Sequence, residues 1–339
     1  MQQARKRLKE GEKLLKGGLF SKSDPVRALR AFEEAADAMR RSASGASEWQ
    51  ECLLVLQRAA VAAEAVPVPN TAGKHLSAAS KLATRQLDDI DMAIELLKRA
   101  SRMFLAGDHV AAAVKALSDA AVLVADSDFE RSLELFQQAC LLVEDTLDEY
   151  SSGSTAAASS HEIFDRTVAH CATHKRWAEC REALLRQCRF MDHASNRETF
   201  KAWLRQAWSH AIVVSLVRND VAGAARDWSE AQQCQAMAGT EASQQLSRLI
   251  QAVASADQSE VQQVLRHTFF GSGGMRPRFA RLAKKLQAAP SPVSLNPATQ
   301  LGASQAMQAP ASAAQAADDE HKSDEIAATA AEFGEPNFA

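Results

Sequence analysis

Aromatic residues are scarce in this 339-residue chain: they make up 6% of it and include a single tyrosine. Sheets rely on β-branched and aromatic side chains, so this shortage disfavours a β fold. Alanine, the strongest helix former, recurs along the whole sequence. Hydrophobic residues make up 46% of the chain, which is enough to bury a core. The composition therefore predicts an all-α protein.

Long apolar runs are also missing, and none approaches the roughly 20 residues of a membrane-spanning helix. The formal net charge of −3 provides no general attraction for nucleic acid. The six cysteines are scattered without a Cys-x-x-Cys pair, as is usual for small buried residues in a reducing compartment. The chain opens on a charged segment rather than an apolar leader. We expect a soluble, cytoplasmic protein that does not bind nucleic acid.

One short pattern recurs along the chain: a small residue, a large apolar residue four positions on, and alanine three positions further. These positions share one stripe of a helix, where a neighbouring helix can approach closely around a single large side chain, as in tetratricopeptide repeats (TPRs). Five such sets are Ala28, Phe32 and Ala35; Ala93, Leu97 and Ala100; Ala113, Leu117 and Ala120; Ser132, Phe136 and Ala139; and Ala224, Trp228 and Ala231. The pattern predicts a right-handed α-solenoid of TPR-like helical hairpins, in which consecutive helices each carry it.

Composition divides the chain into three parts. Residues 1–240 are predicted to form the solenoid, residues 241–289 a C-terminal helical cap, and residues 290–339 a flexible, disordered acidic tail rich in Pro, Ala, Ser and Gln. Two stretches interrupt the solenoid. Residues 66–70 contain two prolines and are predicted to be a loop, and the low-complexity residues 151–160 an inserted flexible connection.

The charge is unevenly distributed along the chain. Residues 1–16 carry a net charge of +4, and residues 318–335 a net charge of −6. A basic beginning and an acidic tail predict two different partners.

Two clusters contain residue types that are common in chemical sites. The glycine-rich residues 271–274 lack the lysine and hydroxyl of a phosphate-binding loop, so a flexible turn is the expected structure. His170, Cys171, His174 and Cys180 are metal-ligating types, but their spacing is looser than that of structural zinc sites. The sequence contains neither Gly-x-Ser-x-Gly nor His-Glu-x-x-His. We expect no enzymatic activity, no cofactor and no metal.

Leu19 and Phe20 follow a pair of glycines and are flanked by lysines. They either tuck back onto the first helices or form an exposed apolar loop tip that dips into an anionic membrane surface. Two apolar residues bind a membrane only weakly, so such a loop assists contact without anchoring the protein.

Several segments resemble the soluble NSF attachment proteins (SNAPs), most closely those of the γ-type. They include GEKLLKGGLFSKSDPVRALRAFEEAADAM (11–39), DMAIELLKRASRMFLAGDHVAAAVKALSDAAVLV (91–124) and FERSLELFQQACLLVED (129–145). Weaker similarity continues through EIFDRTVAHCATHKRWAECREALL (162–185) and RNDVAGAARDW (218–228) to the FARLAKK region that ends at residue 285.

This resemblance implies an adaptor that binds SNARE four-helix bundles, of syntaxin-type and other SNAREs, and recruits the AAA+ ATPase NSF for their disassembly in vesicle transport. It implies that Leu19 and Phe20 contact the membrane weakly, leaving the protein cytoplasmic and peripherally membrane-associated. Arg99, Lys115 and Arg166 are the candidates for SNARE contact, although each could equally be a solvated charge. The resemblance implies ATPase contact by residues of the acidic tail, namely Asp318, Asp319, Glu320, Glu332, Glu335 and Phe338.

Several features depart from the family pattern. The stretches at 66–70 and 151–160 are not expected in a compact member, and the tail ends in Glu-Pro-Asn-Phe-Ala rather than an acidic run closing on leucine. The alternative function is a general TPR-like scaffold for trafficking proteins other than SNAREs.

Overall fold

The computed structural model describes residues 1–17, 22–145, 155–193, 197–271 and 274–287, with side chains omitted at 155–161 and 197–199. All of them fall in the first of the two units into which the chain divides, Met1–Pro290. Every regular element among them is helical, so the all-α prediction is confirmed.

Fourteen α-helices follow one another in the described part of the chain. They are α1 (Gln2–Lys16), α2 (Pro25–Ser42), α3 (Ala46–Ala65), α4 (Pro69–Leu82), α5 (Ile90–Ala106), α6 (Val110–Val124), α7 (Phe129–Asp145), α8 (Thr155–Thr173), α9 (Trp177–His193), α10 (Arg197–Val217), α11 (Val221–Gln233), α12 (Glu241–Ala254), α13 (Gln258–Leu265) and α14 (Pro277–Ala283). A π-helical turn (Ala83–Leu87) follows α4, and a 3₁₀ turn (Thr268–Phe270) follows α13.

Each helix from α1 to α11 packs mainly against the helix before it and the helix after it. Short connections between consecutive helices make the neighbours antiparallel. The result is a stack of helical hairpins, which confirms the predicted α-solenoid. Beyond α11 the chain turns back, and α14 packs against α10.

The repeated small–large–small pattern marks the packed stripe of each helix that carries it. Every alanine and serine in the five sets is fully buried, and four of the five large residues are buried too. Trp228 is the exception and is half-buried. Close approach is visible at Gly11, where an added Cβ would lie 2.7 Å from the Phe32 ring. A small residue is therefore required at Gly11, because the Phe32 ring of the neighbouring helix occupies the adjoining space.

Aspartates begin several of the helices. The carboxylates of Asp24, Asp89, Asp220 and Asp257 each accept a hydrogen bond from the backbone N–H three residues on. This contact satisfies one of the amides that a helix start leaves without a partner.

Both predicted interruptions are shorter than expected. The prediction of a loop through residues 66–70 is wrong in part, because α4 already begins at Pro69. Proline fits there since the first helical position needs no N–H donor. The prediction of a flexible connection at 151–160 is also wrong in part, because α8 begins at Thr155. Residues 151–154 lie outside the described residues.

Alternate helices are joined side by side by arginine–carboxylate pairs. Five of these pairs form a ladder that links each odd-numbered helix from α1 to α9 with the next odd-numbered helix. The pairs are Arg5–Glu51, Arg99–Glu64, Arg131–Asp91, Arg186–Glu144 and Arg181–Asp227. We call α1, α3, α5, α7, α9 and α11 the odd layer and α2, α4, α6 and α8 the even layer.

Candidate functional site

A concave feature lies along the even layer. A cavity of about 870 Å³ lies against α4 and α6, with α2 and α3 at one end. A smaller cavity of about 190 Å³ lies between α6 and α8. Lys115 lines both cavities, so the two are adjacent, and we call them together the groove.

The larger cavity is lined by many more cations than carboxylates. Among the described residues, its basic lining consists of Arg40 of α2, Lys74 and Lys81 of α4, Arg85 of the π-helical turn and Lys115 of α6, against one carboxylate, that of Asp119. The floor is apolar and includes Leu82, Leu97 and Phe104. Apolar walls of low dielectric constant strengthen the field of such a cluster, so the groove attracts anions.

The sequence of α4 places its cations on one stripe. Lys74, Lys81 and Arg85 are seven and four residues apart, which is the spacing of one helical face. The π-helical turn continues α4 without a break, so Thr84, Arg85 and Gln86 also line the cavity. The turn ends at Asp88, whose φ of 51° starts the connection to α5. The spacing on α4 could have identified this stripe from the sequence.

The cations of the cavity differ in their pairing. Arg40 contacts Asp37 at 2.5 Å and Lys115 contacts Asp119 at 3.4 Å. Within the described part of the chain, Lys74, Lys81 and Arg85 form no ion pair. Positive charge in the groove is therefore concentrated on the α4 stripe.

The structure brings together two of the three residues predicted to contact SNAREs. Lys115 lines both cavities, and Arg166 of α8 lines the smaller one. Arg166 contacts Glu162 at 2.7 Å and donates a hydrogen bond to the Ser118 hydroxyl across to α6. Both cations thus lie on the even layer.

Arg99 lies elsewhere. Leu97 lines the larger cavity, and Arg99 is two residues further on, about 200° around the same helix. Arg99 contacts Glu64 of α3 at 2.6 Å and is one of the ladder pairs of the odd layer. The structure therefore separates Arg99 from Lys115 and Arg166, and its proposed partner contact stays a prediction.

The remaining predicted site residues lie outside the described residues. These are Leu19 and Phe20 near the start, and Asp318, Asp319, Glu320, Glu332, Glu335 and Phe338 near the end. Leu14 precedes residues 18–21 and Asp24 follows them. The Asp24 N–H donates to the Leu14 carbonyl at 2.9 Å, which holds the end of α1 beside the start of α2.

The histidine–cysteine cluster is built into the packing between α8 and its neighbours. His170 stacks on Phe129, with ring centroids 4.8 Å apart. Cys171 and Cys180 are buried, and burial raises the pKa of the Cys171 thiol to about 12. Metal ligation requires a thiolate, which this environment disfavours. Across the described ranges, three potential ligands do not gather anywhere in the arrangement that a metal ion needs.

The C-terminal segment packs against a buried histidine of α10. The backbone N–H of Arg276 donates to His210 Nε2 at 3.1 Å, and the His210 ring stacks on Phe279 with centroids 4.0 Å apart. The Arg276 guanidinium also reaches Asp165 of α8 at 2.6 Å. Burial, together with the Arg276 charge, keeps the pKa of His210 well below its ordinary value of 6.5.

Acid is expected to destabilise the packing of the C-terminal segment against His210. The pKa of His210 is lower in the folded than in the unfolded state, so its contribution is complete above pH 6.5 and declines as the pH falls below 6.5. The decline reaches at most about 1.4 kcal/mol per pH unit. Urea unfolding at pH 7.5 and 5.5 should show a smaller loss in His210→Phe than in the unmodified chain. The exposed substitution His193→Gln serves as control, and an equal loss in all three proteins would contradict the prediction.

In the ranges that the structure covers, none of the helices combines the length with the apolar character needed to cross a membrane.

Comparisons with known proteins agree with the sequence resemblance. The family described as "Soluble NSF attachment protein, SNAP" matches residues 1–267. The gamma-soluble NSF attachment protein of Dictyostelium discoideum is 26% identical over 293 residues, covering 86% of this chain and 83% of that protein. The predicted similarity to γ-type members is thereby confirmed.

Among solved structures, the crystal structure of BtubC (BKLC) from P. vanneervenii covers 70% of this chain and 91% of its own, at 15% identity. Its TM-score of 0.34 is too low to bear on fold or function. The family match, in contrast, spans well over half of the sequence. This chain therefore belongs to the soluble NSF attachment protein family.

Proposed function

We propose that this protein is an adaptor that binds assembled SNARE four-helix bundles in the groove and brings the ATPase NSF to them. Family membership supports an adaptor role of this kind in general. The observation that carries the SNARE contact is the basic lining of the groove along α4, α6 and α8.

The charge and shape of the groove suit a helical bundle with an acidic surface. Such a bundle has no deep pocket and no protruding anchor, so its recognition depends on complementary charge along a row of side chains. A solenoid supplies that row on rigid helices. Lys115 and Arg166 lie at the middle and the far end of the groove, and the α4 stripe lies at the near end. Binding of this type weakens as salt screens the charges.

The other contacts of the proposed adaptor come from residues outside the described part. Leu19 and Phe20 would make a weak membrane contact, which places the protein in the cytoplasm at the membrane surface. The acidic residues from Asp318 to Glu335, with Phe338, would bind a basic surface of NSF. Several adaptors on one bundle would combine their weak membrane contacts through effective concentration. The adaptor itself hydrolyses nothing.

A pull-down under non-hydrolysing conditions tests the proposal. An immobilised SNARE bundle is incubated with NSF and a non-hydrolysable ATP analogue, with and without the full-length chain. We expect NSF to be retained only when the chain is present. A chain that binds neither the bundle nor NSF would overturn the proposal. A chain that binds other trafficking proteins but no SNARE bundle would instead indicate the general scaffold.

A further inference from the structure

Within the described ranges, three cations at the near end of the groove have no carboxylate partner. Lys74, Lys81 and Arg85 form no ion pair among the described residues, whereas three arginines of the neighbouring odd layer are paired in the ladder. Lys74, Lys81 and Arg85 are exposed, and all three line the 870 Å³ cavity. Like charges on one stripe repel one another, so this arrangement costs stability unless an anion binds there.

The three cations lie close enough together to contact one small ligand. Along the helix axis, Lys74 and Lys81 are about 10 Å apart, and Lys81 and Arg85 about 6 Å apart. Their long side chains can bridge most of those distances. Arg40 and Lys115 face the same cavity from α2 and α6, so cations surround it on three sides.

The cavity also presents hydroxyl groups, and its volume suits a small molecule. Ser77 and Thr84 line it between the cations. The Thr84 hydroxyl donates to the Ser80 carbonyl at 3.0 Å, while within the described contacts the Ser77 hydroxyl makes no hydrogen bond and is available as a donor. A volume of about 870 Å³ falls in the range of small-molecule sites, about 300–1,000 Å³.

We propose that this end of the groove, which we call the α4 subsite (Lys74, Ser77, Lys81 and Arg85), binds a small ligand that carries several phosphate groups on one ring. Phosphates present more charge and more acceptor oxygens per unit volume than carboxylates, and arginine and lysine bind them well. An acidic helix spreads its charges along its length, whereas a compact polyphosphate brings several charges within reach of the three cations at once. The ligand is a soluble inositol polyphosphate or the headgroup of a polyphosphoinositide.

The α4 subsite lies in the groove proposed for SNARE contact, and Lys115 borders both. A bound polyphosphate would neutralise the near end of the groove and compete with an acidic bundle. The competition rests on the proposed function, but the binding of the polyphosphate does not.

Calorimetric titration of the full-length chain with inositol hexakisphosphate tests the subsite. We expect binding by the unmodified chain and at least about tenfold weaker binding by Lys74→Gln/Lys81→Gln. Lys74→Arg/Lys81→Arg should retain binding. The control Lys9→Gln/Lys13→Gln removes the same charge from exposed positions of α1 and should bind like the unmodified chain. Circular dichroism verifies that each variant folds.

Two outcomes would overturn the proposal. The first is equal binding by the groove variant and the α1 control, which would indicate general attraction of anions. The second is the absence of binding both to inositol hexakisphosphate and to phosphatidylcholine vesicles that contain phosphatidylinositol 4,5-bisphosphate. Binding to the vesicles alone, lost in Lys74→Gln/Lys81→Gln, would support the subsite and identify the lipid headgroup as its source.

Binding to a SNARE bundle tests the adaptor proposal separately from the α4 subsite. A chain that binds inositol hexakisphosphate but no SNARE bundle keeps the α4 subsite and loses the adaptor function. A chain that binds the bundle but neither inositol hexakisphosphate nor the vesicles does the reverse.

Discussion

Replacing Asp227 by alanine is expected to lower the free energy of unfolding by about 3–5 kcal/mol. Asp227 belongs to α11 and is buried, and its two oxygens contact the Arg181 guanidinium of α9 at 2.9 and 2.5 Å. It also accepts a hydrogen bond from the Ser215 hydroxyl of α10 at 2.9 Å. Removing the carboxylate leaves the half-buried Arg181 charge and the Ser215 hydroxyl without their acceptor, and that uncompensated charge accounts for the large effect.

The ladder itself provides the control for this substitution. Asp91 pairs with Arg131 in the same layer, but its side chain is 81% exposed. Since water replaces a lost partner at the surface, Asp91→Ala should change the free energy of unfolding by less than about 1 kcal/mol. Urea unfolding followed by circular dichroism compares the two variants with the unmodified chain. Equal effects of Asp227→Ala and Asp91→Ala would show that burial does not distinguish the ladder pairs.

Charge reversal in the groove, Lys115→Glu/Arg166→Glu, is expected to weaken binding to an acidic SNARE bundle at least about a hundredfold. Each reversal removes an attraction and adds a repulsion, and like-charge contacts at an interface cost several kcal/mol. A loss of about 1.4 kcal/mol per position already corresponds to a factor of ten. Equilibrium binding of the bundle to the full-length variant, measured at fixed salt, checks the prediction. An affinity that stays within threefold of the unmodified chain would show that the groove is not the SNARE-binding surface.

Substitution of Arg99 tests, in the same assay, whether the SNARE bundle also contacts the odd layer. Because Arg99 lies on the odd layer with Glu64, a bundle confined to the groove would leave the SNARE affinity of Arg99→Gln within about threefold of that of the unmodified chain, with slightly lower stability. A loss of affinity comparable with that of Lys115→Glu/Arg166→Glu would instead place the bundle across both layers. Circular dichroism confirms that the variants being compared are folded.

The solenoid could be predicted because its determinants are local. A small–large–small stripe such as Ala28, Phe32 and Ala35 needs only the 3.6-residue period to be recognised as a packed helix face. Asp24 and Asp220 mark helix starts because their carboxylates cap amides only three residues away. Proline was less informative, since Pro69 opens a helix whereas the prediction placed it in a loop.

The candidate site could be predicted only in part. Lys115 and Arg166 lie on one face because α6 and α8 are neighbours in the even layer, a contact between helices that are separated by α7. The α4 stripe of Lys74, Lys81 and Arg85 has a local spacing signal, but its lack of acidic partners depends on what the neighbouring helices present.

The sequence by itself determined the helices, their caps, their hairpin packing and the family, because each depends on neighbours along the chain or on residues matched in order. Tertiary structure decided which layer each cation occupies, and therefore which ones pair between helices in the ladder and which line the groove. Arg99 and Lys115 look alike in sequence, yet one closes an ion pair with Glu64 and the other lines the groove. The physical reason is that a solenoid brings alternate helices side by side, so the partner of a charge lies some 35 to 50 residues away.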